Sequence, residues 1–531
     1  MAESLFNQGL NKFSQGDYLG AIALFDQVLQ LDPSLGEVYH QLGSAYLALG
    51  NYDQAIANFH QALSLNQNTQ SDLSTALHYR GLNQLERGNH QQAIADFQTA
   101  LDYYPDFATV YSNRGNVYYI LNRYTEAIED YNQAIRLNAN FAAAYHNRGN
   151  CYYALGNYQE AIANYNYVIQ LNPNFAQAYY NRGLVLSRLQ KYQQAITDFN
   201  QALQLHPDDV QALCERGLLR YTLQDYPAAL EDYNRALQLN PTFTKVYHLR
   251  AQAHQQLGDY EGAITDINIL LQLQPDLAEG YSDRAGLRRQ LGDYQAAITD
   301  YTQALRINPH LAIAYYGRGI AREAIQDLSG AVADYSQAIS ILPDFAAAYC
   351  DRANARRLLG DNHNAIKDYN QAIKLNPDLL EAYYNRGITH YSLQDFTAAI
   401  ADYSQAIRLN PEVARFYSDR ANAYFALQNY QKAIEDYNQA IILNPNLAQD
   451  WFNRGRSYSL LGKFETALKN LNRALELQPR WAAAYLLRAD IQRVLENHQA
   501  AKIDFHKAAD LYEQAGNTQY YQQIINLIRQ L

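Results

Sequence analysis

The chain has 531 residues, 48% of them apolar and only 18% charged, and carries a net charge of −11. That acidity opposes nonspecific nucleic-acid binding, which needs many phosphates neutralised by Lys and Arg. Three widely separated cysteines, Cys151, Cys214 and Cys350, lack the paired spacing of a zinc site or a disulfide framework and fit a reducing compartment.

The opening segment, MAESLFNQGL, has no basic stretch followed by an apolar one, so no secretory signal is expected. No stretch approaches the roughly 18 apolar residues of a membrane helix, so no membrane insertion is expected and the expected location is cytoplasmic. Read along the chain, prolines recur every 34 residues: Pro173, Pro207, Pro241, Pro275, Pro309, Pro343, Pro377, Pro411, Pro445 and Pro479. Backward, Ala139 and Pro105 keep step, and Pro33 lies one period before Gln67. Placing this proline at position 32 divides the chain into two units over 2–69, an insert at 70–73, thirteen units over 74–515 and a tail at 516–531.

The first two units form a distinct block, because position 7 is Gln8 and Leu42 where every later unit has Arg. The insert predicts a longer loop or an extra turn of the next helix. Within each unit, position 4 is mostly aromatic (Tyr111, Tyr145, Tyr179) and position 8 is Gly or Ala (Gly115, Gly149, Ala251). Position 20 is Ala throughout, position 24 is mostly aromatic (Phe59, Tyr131, Tyr301) and position 27 is mostly Ala. Positions 4, 8 and 11 share one helical face, as do 20, 24 and 27, so small residues at 8 and 20 allow close approach beside the large rings. Turns such as Gly156-Asn157-Tyr158 end the first helix, and Asn-Pro ends the second. In the tail, Tyr520, Ile524, Ile525 and Ile528 are expected to cover the last repeat, while Gln522, Gln523, Asn526 and Arg529 face water.

This pattern resembles the tetratricopeptide repeat, W-x2-L-G-x2-Y…A-x3-F…P over about 34 residues. The resemblance implies an all-α, right-handed superhelical solenoid of about fifteen helix-turn-helix repeats with a C-terminal capping helix, binding other proteins or peptides as a scaffold. It departs from the family at position 7, where Arg80 to Arg488 replace the usual Leu in thirteen successive units. Position 23 of the same units is an acid or amide, for example Asp130, Asn164 and Asp198. Two readings compete for this row: an arginine ladder gripping an acidic ligand, or an Arg–Asp pair packed between the two helices. The matched acids favour the second.

In this family the first helix lines the concave groove. On that resemblance the peptide-binding residues are expected at position 6 (Asn113, Asn147, Asn181, Asp283, Asp351, Asn385, Asp419, Asn453), position 9 (Asn116, Asn150, Asn354, Asn422) and position 12 (Tyr119, Tyr153, Tyr391). The amide row resembles the asparagine ladder in the repeat region of the O-linked N-acetylglucosamine transferases, without their catalytic domain. Each amide has a donor and an acceptor for an extended peptide backbone. The set that clamps chaperone C-termini is not found, since Lys245 at position 2 shares its unit with Leu249 at position 6.

A basic patch, Arg288, Arg289, Arg322, Arg356 and Arg357, is a candidate site for an acidic segment, a phosphate or, less favoured, nucleic acid. The competing reading is solvated charge partly paired with Asp293, Asp327 and Asp361. Histidines recur at position 5 (His40, His78, His146, His248), where packing is favoured over metal binding. Cys214 and Cys350 share that position and are expected to be exposed in the groove. No phosphate loop, H-E-x-x-H or G-x-S-x-G is present, so no cofactor, metal site or catalysis is expected. The rival to a peptide groove is a regulatory or assembly subunit gripping a folded partner on its outer or edge surface.

Overall fold

The computed structural model describes residues 1–529. Among them every regular element is an α-helix, 31 in all, with no strand. They divide into two compact units, Met1–Asp259 and Tyr260–Leu531. Each is a stack of antiparallel hairpins. The first helix of a repeat is called helix A here and the second helix B.

In Met1–Asp259 the pairs begin with Ala2–Ser14 and Tyr18–Leu31 and continue through Ala142–Ala154 with Tyr158–Leu171 to Val210–Thr222 with Tyr226–Leu239. Helix A typically ends on a left-handed residue, which closes the turn without lengthening it. Gly156 has φ 77°, and in some repeats a non-glycine takes the same strained conformation, as Gln190 (φ 58°) and Gln224 (φ 65°) do. Helix B ends before the proline, where Asn172 Oδ1 accepts the Asn174 amide at 3.1 Å and occupies a donor that the broken helix leaves open. The insert at 70–73 extends the following helix, Gln70–Glu86, at its N-terminal end. Leu73 is buried there and Thr69 Oγ1 donates to the Phe59 carbonyl at 3.1 Å.

The core follows the spacing. Ala127, Tyr131 and Ala134, at positions 20, 24 and 27, are fully buried. The small residue at position 8 is a steric requirement: a Cβ on Gly149 would lie 2.7 Å from the Tyr165 ring. The arginines at position 7 then lock three helices together. Arg182 donates through Nε and Nη2 to both carboxylate oxygens of Asp198 on its own helix B (2.7 and 2.6 Å), and through Nη1 to Asn166 on the preceding helix B (2.5 Å). Tyr179 stacks beneath its guanidinium at 5.6 Å. Such a fork is geometrically specific, and with the acid only 6% exposed neither partner can be lost cheaply.

Tyr260–Leu531 repeats this design. Arg318 binds Asp334 at 2.9 and 2.7 Å and Thr302 at 3.0 Å, over Tyr315. Where position 23 is an amide, Arg454 Nε donates to Asn470 Oδ1 at 2.7 Å. The last helix, Thr518–Arg529, packs on the preceding hairpin through buried Ile524, with Tyr521, Ile525, Leu527 and Ile528 partly covered. Tyr520 departs from expectation: it is 45% exposed and stacks on Tyr512 at 5.0 Å instead of sealing the core, because Tyr521 takes the inward-facing side.

Candidate functional site on the helix A face

Successive helices A touch through the expected amides, and the contact is a relay. In Met1–Asp259, Asn116 Oδ1 accepts from Tyr131 Oη (2.8 Å) and from Asn147 Nδ2 of the next repeat (2.9 Å). Asn150 Oδ1 accepts from Tyr165 Oη (2.8 Å) and Asn181 Nδ2 (2.9 Å). In Tyr260–Leu531, Asn354 accepts from Tyr369 (2.7 Å) and Asn385 (3.0 Å), and Asn422 from Tyr437 (2.6 Å) and Asn453 (3.1 Å). Because both partners are donors, the position 9 oxygen is the acceptor and its Nδ2 stays outside the relay. All eight amides are partly buried.

The tyrosine at position 24 was invisible to a reading confined to helix A, yet the sequence carries a signal for it. Asn116, Asn150, Asn354 and Asn422 each share a repeat with Tyr at position 24, whereas Leu82 and Leu184 share theirs with Phe97 and Phe199. The converse fails, since Leu218, Gly286, Ile320 and Ile388 share repeats with Tyr233, Tyr301, Tyr335 and Tyr403, and the buried Tyr233 hydroxyl has no hydrogen-bond partner.

The other expected residues divide. Asn113 Nδ2 meets His78 Nε2 at 2.8 Å, and Asn181 Nδ2 also meets His146 Nε2 at 2.9 Å. The imidazoles therefore accept at Nε2, and burial pushes both His78 and His146 below the usual histidine range. Asp351 and Asp419 accept from tyrosines at position 5 of the preceding repeat, Tyr316 and Tyr384, each at 2.7 Å. Burial raises both carboxyls. Asp283 is exposed. At position 12, Tyr119, Tyr153 and Tyr391 lean on ring neighbours in the turn, Tyr124, Tyr158 and Phe396, at 5.3 to 6.0 Å.

Two expectations are corrected. Cys214 and Cys350 are buried, not exposed, because position 5 packs beneath the next repeat; Cys350 lies among Ala353, Tyr369 and Ala382. Burial pushes their thiols up to about 11 and about 12, so neither is a nucleophile at neutral pH. The basic patch is also smaller than expected. Arg288, Arg322 and Arg356, at position 11, bind the position 23 acids Asp300, Asp334 and Asp368 at 2.8, 2.8 and 2.6 Å. Their partners are thus the packed acids; among the turn acids, only Asp327 joins, at 3.6 Å from Arg322. Arg289 and Arg357, at position 12, remain on the helix A face.

Among the described residues, no group of three or more His, Cys, Asp or Glu could hold a metal ion, and no helix is long and apolar enough to cross a membrane.

A stack of such hairpins, with small residues at positions 8 and 20 and rings at 4 and 24, defines a helical-repeat scaffold. Tetratricopeptide repeat models match residues 34–106, 176–209, 210–243, 249–315, 384–448 and 420–496, and a TPR repeat model matches 9–50, 115–156, 149–190 and 353–394. The chain belongs to the tetratricopeptide repeat family, and that membership supports a role as a protein–protein interaction scaffold. Similar crystal structures include YrrB, described as a TPR protein with an unusual peptide-binding site (21% identity, 35% of this chain and 95% of that one, TM-score 0.32). The C-terminal part of a TPR repeat-containing protein from Cytophaga hutchinsonii aligns at 20% identity over 44% of this chain and 97% of its own, with a TM-score of 0.41. The APC/C hetero-tetramer Cut9–Hcn1 aligns at 16% identity over 99% and 96%, with a TM-score of 0.33. No curated protein matches the chain.

Proposed function

We propose that this protein binds extended polypeptide segments along the helix A face, and that it acts as a binder and not as an enzyme. The amide relay carries this reading. Each Asn–Asn step uses one acceptor and one donor internally, leaving the Nδ2 of the position 9 residue and the Oδ1 of its position 6 neighbour outside the relay. That Oδ1 is met by His146 at Asn147 and by the side chains of Gln177 and Gln449 at Asn181 and Asn453, which a peptide N–H would displace. A peptide unit likewise has one N–H and one C=O. Affinity would accumulate over many weak steps with little dependence on side chains, and the position 12 tyrosines would add apolar area with a polar tip.

The test replaces Asn116, Asn150, Asn354 and Asn422 with Asp. Aspartate keeps the oxygen that the relay needs and turns the outward donor into a charged acceptor; Asn→Leu at the same four positions, which adds no charge, is the companion variant. Unstructured peptides of mixed sequence should bind the native chain. The fourfold variant should lose about 2–6 kcal/mol, counting about 0.5–1.5 kcal/mol per bond, which is at least roughly thirtyfold in affinity. Equal binding by the two proteins removes the backbone reading.

A second reading, a folded partner on the edge surface, is favoured by one observation. Position 14 presents leucines about half exposed in repeat after repeat, among them Leu155, Leu223 and Leu257 in one unit and Leu291, Leu359 and Leu427 in the other. Partners that survive the asparagine changes but are lost with Leu155→Asp and Leu223→Asp, or with Leu291→Asp and Leu359→Asp, would be gripped there.

A further inference from the structure

Position 12 of three consecutive repeats in Tyr260–Leu531 reads Arg289, Glu323, Arg357. All three are half-buried. Their arginine neighbours at position 11 are held by Asp300, Asp334 and Asp368, but these three are bound differently. Glu323 Oε2 accepts from Tyr335 Oη at 2.9 Å, a neutral partner that leaves its charge uncompensated. The Nε atoms of Arg289 and Arg357 are buried without a hydrogen-bond partner, and among the described residues the only groups their guanidiniums are seen to bond are the neutral hydroxyls of Tyr301 and Tyr369, which leave the charge uncompensated. Asp351, bonded to Tyr316, lies close enough to Glu323 to add to its charge, and burial holds both carboxyls above their ordinary range. Arg289 lies within electrostatic range of Tyr316, and Arg357 lies within electrostatic range of Tyr369 and Tyr384. Positive, negative and positive charge therefore follow one another at the step of one repeat.

Leaving charges partly desolvated with only neutral hydroxyl partners is costly, and the position 11 arginines show that this chain pairs such groups with acids elsewhere. Departures of this kind from local consistency concentrate where a ligand completes the arrangement. We infer that this stretch takes a polypeptide segment of acid–base–acid pattern, with carboxylates against Arg289 and Arg357 and an ammonium or guanidinium against Glu323 and Asp351. Neighbouring helices lie about 8–10 Å apart and an extended chain advances about 3.3 Å per residue, so the three charges fall about three residues apart. A nucleic acid or an all-acidic segment would set negative charge on Glu323 and Asp351. The inference rests on the helix A face being the peptide surface, and adds to that reading which segment the second unit selects.

The test uses the full chain and fluorescently labelled nonapeptides of Ser and Ala carrying Glu, Lys and Glu at the second, fifth and eighth positions. The comparison set is the charge-inverted peptide, the all-Glu peptide and a single-stranded RNA of similar length. The Glu-Lys-Glu peptide should bind on the order of tenfold more tightly than each of the others. The triple variant Arg289→Glu, Glu323→Lys, Arg357→Glu should prefer the inverted peptide, with circular dichroism confirming its fold. Should that variant not fold, Arg357→Gln removes one positive charge and should weaken both peptides that set a glutamate against it while leaving the charge-inverted peptide no weaker. Tightest binding by the RNA or the all-Glu peptide, equal binding of the two charge isomers, or no binding by any of the four overturns the inference. Failure here is separable from failure of the groove itself. Indifference to charge pattern, together with loss of mixed peptides in the fourfold asparagine variant, removes only this inference. A charge preference that persists while that variant binds normally removes only the backbone reading.

Discussion

The helix A face of Met1–Asp259 and that of Tyr260–Leu531 stand on the same framework and carry different chemistry. In the first, the steps from His78 to Asn181 are neutral: His78 to Asn113, Asn116 to Asn147, Asn150 to Asn181. In the second, an acid step alternates with an amide step: Tyr316 to Asp351, Asn354 to Asn385, Tyr384 to Asp419, Asn422 to Asn453. Position 9 explains the alternation. An Asn there offers an acceptor, so position 6 of the next repeat can be a donating amide. Where position 9 is Ile320 or Ile388 there is no acceptor, and position 6 is an aspartate that accepts from a tyrosine at position 5. Where position 9 is apolar, position 5 sets the partner: the tyrosines Tyr316 and Tyr384 donate to aspartates, whereas His78 accepts from the amide of Asn113.

If the framework is common to both regions, breaking it should hurt both equally. Asp198→Ala and Asp402→Ala each strand one half-buried arginine, Arg182 and Arg386, and each should cost about 3–5 kcal/mol, read by hydrogen exchange in the flanking helices. A large inequality would mean that the clamp matters in only one region.

Acid should separate the regions. His78 and His146 have lowered pKa values in the folded chain, so the stability they contribute is present above about 6.5 and is lost as pH falls through their folded values. Asp351 and Asp419 have raised values, so the stability they contribute is full below about 3.9 and is lost as pH rises through their folded values. Between those limits, acidification should loosen the hairpin that begins with Ala142–Ala154 and tighten the one that begins with Ala346–Leu358 in hydrogen exchange. Asp351→Asn should remove the second response, and parallel responses in the two hairpins would contradict the assignment.

Hydroxyl deletions sharpen the comparison within Met1–Asp259. Tyr165→Phe removes a relay donor and should cost about 1 kcal/mol, whereas Tyr233→Phe removes a buried hydroxyl without a partner and should gain about 1 kcal/mol. Thermal melting with both single variants decides it, since the signs are opposite. The smallest effect is expected in a turn: Gln224→Gly relieves a left-handed residue and should gain roughly 0.5–1 kcal/mol, the relief of about 1–2 kcal/mol being partly offset by the entropy of glycine. No change in melting would mean that the turn relaxes around glutamine without cost.

Much of the framework was legible because it is local. The period, the Gly-Asn-Tyr turn, the Asn-Pro stop and the Ala at position 20 each follow from helix geometry within one repeat. The Arg–Asp clamp was readable for a related reason: Arg182 and Asp198 are 16 residues apart in one hairpin, and they change together. The patch was misjudged because Arg288 and Arg289 are adjacent in sequence yet point along different faces, one onto Asp300 and the other beside Tyr301. Cys350 was misplaced because the residues that cover it, such as Ala382, belong to the next repeat.

The sequence by itself determined the hairpin, its caps and its clamp, since each is specified by spacings shorter than one repeat. Only the tertiary structure decided which polar atoms the stack consumes and which it leaves outside those bonds. Those bonds join residues 31 or 35 apart, such as Asn147 with Asn116 and Asp351 with Tyr316, and they form only when one hairpin is laid against the next.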